Sequence, residues 1–196
     1  ERGAVVTAFL AVALSAALVG CYAQPGAAEG TDEAPADLAG SELEAPKLAT
    51  GFQWHVIVDP GVPEFEAAEI EHALEAWKAV IPCGFDWTLE RAAVGSWDDV
   101  LPAGTLAIKM GEPPQGNGAV GQTLRPAPPN FFLEGATIVL QTNYRCDDFP
   151  RVAQHELGHG FGLPHAPGGV MVDPGVVGAR VNATDAAVYA SHWCPR

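Results

Sequence analysis

"HELGHGFGLPH", His155 to His165, is the stretch on which the reading of this chain turns. An α-helix advances about 100° per residue, so positions four apart stack on one face. His155 and His159 therefore aim two imidazoles at one point, and Glu156 stands beside that point without having to be a ligand. Gly162 is where the chain can leave the helix, because glycine accepts the positive φ of a helix C-terminus without steric cost. Pro164 keeps the helix from resuming, and His165 is carried back toward the first two histidines. Three neutral imidazoles suit Zn²⁺, whose catalytic sites keep three protein ligands and one water. Such ligands leave the ion its full divalent charge, so it acidifies the water strongly. Glu156 is then the base that takes the proton and can pass it to a leaving amine. A satisfied core histidine or a structural metal site is the bland alternative, and neither accounts for Glu156.

Outward from this stretch the pattern is that of one small α/β domain. "FQWHVIVDP" (Phe52 to Pro60) reads as a strand ending in a Pro-Gly turn. In the segment that follows, Ile70, Leu74, Trp77 and Ile81 recur at helical spacing, which predicts an amphipathic helix closed by Pro82. "FDWTLERAAV", "TLAIKMG" and "ATIVLQTN" read as three further strands. The Gly-, Pro- and Asn-rich run from Glu112 to Phe132 reads as a long loop and a candidate cleft rim. Asp147 or Asp148 can cap the helix that carries His155, with Pro150 in its first turn. A last helix is expected over "NATDAAVYASHW", capped by Asn182 or Thr184. His55, His72 and His192 are scattered and are read as structural or surface residues. Asp98-Asp99 and Asp147-Asp148 are read as turn and cap residues rather than calcium ligands.

The chain carries 24 Asp and Glu against 10 Lys and Arg, a formal charge of −14. That balance argues against a nucleic-acid partner, since phosphate binding needs clustered cations. Residues 1–20 read as a signal peptide, with one Arg ahead of a long apolar run. "LVGC", Leu18 to Cys21, resembles the lipobox of bacterial lipoproteins, which implies cleavage before Cys21 and a lipid on its thiol. Residues 21–50 lack large apolar side chains and read as a disordered acidic tether. The expectation is an exported, monomeric cell-envelope lipoprotein held to the membrane by its N-terminal lipid, with simple secretion as the alternative.

The motif H-E-x-x-H-x-x-G-x-x-H, followed by Gly169-Val170-Met171, is the signature of metzincins. Residues 51–196 thus resemble a small metzincin metallopeptidase of the matrixin-like group. The resemblance implies an α/β (α+β) fold with a mixed twisted sheet, an active-site helix, a Met-turn and a C-terminal helix. It implies one catalytic Zn²⁺ on His155, His159 and His165, catalysis by Glu156, and Met171 beneath the metal; calcium is not indicated. It further implies an extended polypeptide substrate, paired to an edge strand placed at Gly118 to Thr123, with Val172 to Gly178 as a pocket wall. The stretch from His165 to Met171 is shorter than in typical matrixins. Asp173 stands where astacin- and serralysin-like members carry a tyrosine, and no prodomain cysteine switch is present. The leading function is zinc-dependent endopeptidase. Its alternatives are a zinc-binding adhesion module without turnover and a metallohydrolase of non-peptide bonds.

With Cys21 lipidated, Cys83, Cys146 and Cys194 remain, an odd number for an oxidising compartment. Spacing leaves all three pairings open. The favoured one is Cys146 with Cys194, because the family's terminal helix packs on the zinc-helix side of the domain. Cys83 would then be a buried free thiol, and Cys83 with Cys146 is the runner-up.

Overall fold

The computed structural model describes residues 52–97, 99–114, 120–124, 135–141, 148–172 and 179–195. The expectations for the signal segment, Cys21 and the tether, and for Asp98, Cys146, Asp147 and Asp173, lie outside the described residues. The fold is mixed α/β. Strand β1 (Gln53–Val58) is followed by helix α1 (Glu64–Val80), then β2 (Asp86–Arg91), β3 (Thr105–Met110), β4 (Gly121–Leu124), β5 (Ala136–Leu140), α2 (Phe149–Gly160) and α3 (Ala183–Trp193). The sheet order is β2-β1-β3-β5-β4. Strands β2, β1, β3 and β5 run parallel, and β4 closes one edge antiparallel to β5.

Two parallel strands need a long crossover, and α1 supplies it between β1 and β2. The turn into α1 is built on Asp59, whose carboxylate accepts the N–H groups of Val94 and Gly61. Those two bonds, that from Val94 foremost, hold its pKa below the usual carboxylate value. Along β1 the alternate residues Trp54, Val56 and Val58 are buried, and they join Ile70, Leu74 and Trp77 of α1 in one core. The helical period read for α1 therefore matches its buried face. Strand β5 is buried at every position, as expected of a strand with neighbours on both edges.

The core has an aromatic centre. The Phe161 ring lies 5.0 Å from Trp54, 5.6 Å from Trp77 and 5.1 Å from Phe85, centroid to centroid. Polar atoms that this cluster buries are paired. The indole N–H of Trp77 donates to the Gln154 carbonyl, that of Trp193 to the Phe161 carbonyl, and that of Trp54 to the Tyr189 hydroxyl. Burial pushes the Tyr189 phenol up to about 12.

Cysteine pairing differs from the expectation. Cys194 is bonded to Cys83 rather than to Cys146, with 5.5 Å between their Cα atoms, and Cys83 is not a free thiol. The reason lies in where α3 ends. Its last turn packs against the exit of α1, where Phe85 meets Tyr189 at 5.9 Å between centroids, so Cys83 is the thiol brought to Cys194.

Candidate metal centre and active site

Helix α2 is buried along most of its length, and its sequence shows why small residues are needed there. A Cβ on Gly160 would come within 3.2 Å of both Ile138 and Leu106, so glycine lets the helix settle on β3 and β5. A Cβ on Gly158 would run into the Met171 sulfur and come to 3.0 Å from Trp77. Glycine at this position of "HELGH" thus opens the seat for Met171, which is fully buried. Asp148 stands at the N-cap and Pro150 in the first turn, although the Asp148 side chain makes no capping bond.

The helix closes in a Schellman turn. Gly162 takes φ +87°, its N–H reaches the His159 carbonyl, and the Leu163 N–H reaches the Gly158 carbonyl at 3.0 Å. This turn does more than end a helix. It points the Leu163 carbonyl back at His159, whose Nδ1 lies 2.9 Å away. On His155, Nδ1 lies 2.7 Å from the Val170 carbonyl. A carbonyl only accepts, so each of these rings carries its proton on Nδ1 and presents a bare Nε2.

The three Nε2 atoms converge. His155 and His159 are 3.0 Å apart, His159 and His165 3.1 Å, and His165 and His155 3.3 Å. The two bare nitrogens, of His155 and His159, cannot hydrogen-bond each other, and their lone pairs repel at 3.0 Å. A cation removes the conflict. Tetrahedral Zn²⁺ with bonds of roughly 2.0–2.1 Å sets its nitrogens about 3.3 Å apart, close to the triangle found. The residues fit a zinc ion, and among the described residues they form the one such cluster of His, Cys, Asp and Glu. Glu156 is outside that cluster.

Two supports of the site are not apparent from the motif. Asp185, in the first turn of α3, accepts the N–H groups of Val170 at 3.0 Å and Met171 at 3.3 Å. It also accepts the N–H of Asn182, completing a capping box in which Asn182 is the cap. Gly169 has no Cβ because one would overlap the Asp185 carboxylate. Val170 thereby links Asp185, through its N–H, to His155, through its carbonyl. The spacing Asn182-x-x-Asp185 is a capping-box pattern that could have flagged Asp185. The second support is β4 (Gly121–Leu124), which overlaps the edge strand placed at Gly118 to Thr123, while Gly118 and Ala119 lie outside the described residues. It brings Gly121 and Thr123 against Glu156. The expected pocket wall falls at 173–178, outside the described residues, apart from Val172.

No family model matches the chain, and no curated protein matches it in sequence. Among solved structures it is similar to metalloproteinase-II from Bacteroides fragilis, with a TM-score of 0.45 and 14% identity. That match covers 76% of this chain and 56% of the other, so the chain spans little more than half of that protein's length. It is also similar to a zinc-dependent peptidase from Methanocorpusculum labreanum, with a TM-score of 0.36 and 16% identity over 71% of this chain and 95% of that one.

Proposed function

We propose that the chain is a zinc-dependent endopeptidase of the matrixin-like metzincin kind, acting outside the cytoplasm on extended polypeptide. The observation that carries this reading is the convergence of three Nε2 atoms at 3.0 to 3.3 Å, two of them fixed as lone-pair donors, beside a buried glutamate that is not part of the cluster.

His155, His159 and His165 would hold the ion. When bound, zinc supplies a Lewis acid that lowers the pKa of water and polarises a carbonyl. Glu156 does the proton work: its carboxylate takes the proton of the attacking water and delivers it to the departing amine. Gly158 and Met171 keep the floor beneath the histidines, and the Leu163 and Val170 carbonyls hold two of the rings in register. Strand β4 has β5 on one side only, which supports it as the edge that aligns an extended substrate. Export is supported by the Leu18 to Cys21 stretch and by the Cys83–Cys194 bond, which belongs to an oxidising compartment.

Incubation with casein tests the reading. The zinc-loaded protein should cut it at internal bonds, a chelator should stop the cutting, and added zinc should restore it. A zinc-loaded protein that leaves casein and a random peptide library intact would sink the peptidase reading in favour of a binding module or another hydrolase.

A further inference from the structure

Glu156 needs an anchor, and strand β4 offers one. A glutamate side chain has three rotatable bonds, so a base on a helix must be held by its surroundings to meet a substrate in one pose. The surroundings are supplied by β4. Gly121 and Thr123, two apart on a strand, point to the same side of the sheet, and both meet Glu156. At Gly121 a Cβ would lie 2.7 Å from Glu156 Cγ and 2.9 Å from Oε1, so only glycine leaves room for the side chain to lie against the strand. At Thr123 the hydroxyl Oγ1 lies 2.7 Å from Glu156 Oε2 and 2.9 Å from the Glu156 backbone carbonyl.

We propose that Thr123 is a positioning residue for Glu156, latching the carboxylate to the substrate-side edge strand. The proposal rests on reading Glu156 as the acid–base residue. The latch suits that task because a hydroxyl both gives and accepts a hydrogen bond. It donates its one proton to Oε2 while the carboxylate is charged. When the carboxyl holds the proton in transit, the hydroxyl can accept from it and turn its own proton to the carbonyl 2.9 Å away. Valine, of the same shape, can do neither. Because the latch sits on β4, the strand that aligns substrate and the group that sets the base are one element. The expectation is a loss confined to turnover.

The test compares Thr123→Val and Thr123→Ser in the full chain, loaded with zinc, on a fluorogenic peptide. Thr123→Val should lower kcat by about 10- to 100-fold, the usual effect of losing a hydrogen bond to a charged group, with KM and bound zinc little changed. Thr123→Ser should recover most of that loss. A second readout is independent of turnover: in metal-free protein the ¹³C resonance of the Glu156 carboxyl, assigned with Glu156→Gln, should move in the valine variant and stay in the serine variant. Unchanged kcat in Thr123→Val, or equal damage in Thr123→Ser, overturns the latch. If the zinc-loaded wild type cuts no peptide, it is the peptidase reading that fails, and the carboxyl resonance still decides whether Thr123 holds Glu156.

Discussion

The carboxylate of Asp185 accepts the N–H of Val170 at 3.0 Å and so ties the cap of α3 to the residue whose carbonyl orients His155. Asp185 is 1% exposed, and its removal leaves the N–H groups of Val170, Met171 and Asn182 without their acceptor in a dry region. Asp185→Ala should therefore lower stability by about 3 kcal/mol, at the upper end for a single polar deletion. The same change should weaken zinc binding by about 10-fold or more, as loss of outer support for a ligand does. Denaturant titration and a competitive zinc titration read the two effects. A variant that unfolds more easily but binds zinc as tightly as wild type would separate the cap from the metal centre.

Gly158→Ala sets two opposed effects against each other. In an exposed helix the change favours folding by about 1 kcal/mol. Here the new methyl runs into the Met171 sulfur, and over-packing costs about 1–3 kcal/mol. Packing should win, so the variant should be less stable. A gain in melting temperature would show that Met171 is not seated as described.

The disulfide joins residues 111 apart. Closing a loop of that size is worth about 4–5 kcal/mol by chain entropy. Cys194→Ser should lower the unfolding free energy by an amount of that order, and non-reducing peptide maps of the wild type should show a Cys83–Cys194 peptide. A Cys146–Cys194 peptide would contradict the packing of α3 against the exit of α1.

Much of this architecture could be read from the residues themselves. The period of Ile70, Leu74 and Trp77 and the alternation of Trp54, Val56 and Val58 carry α1 and β1, because burial on one face imposes the pattern directly. The positions of His155, His159 and His165 follow from helix geometry and from the glycine turn at Gly162. What could not be read depends on contacts distant in sequence. Thr123 lies in a run of turn-forming residues and gains its meaning only from Glu156, 33 positions on. Cys194 finds Cys83 because α1 and α3 end together, a fact of packing that no spacing encodes. Asn182 is legible as the cap of α3, whereas its capping-box partner Asp185, and the bond from Asp185 to Val170, required the fold.

The N-terminal stretch carries its own test. Cys21→Ser should release the protein from the membrane fraction or leave the precursor uncut, because the lipid on this thiol is the proposed anchor. Mass spectrometry of the mature protein should show lipid on an N-terminal Cys21. A mature chain that starts elsewhere would contradict the anchor and leave the zinc site untouched.

The most direct test of the account is the zinc content and turnover of Glu156→Ala, measured on the same preparation. The three histidines alone should hold the ion, so the variant should bind about one zinc per chain, as a three-ligand catalytic site does. It should cut no peptide, because the group that moves the proton is gone. Peptide turnover near the wild-type rate, or loss of zinc along with activity, would contradict the assignment of Glu156 as base beside a three-histidine site.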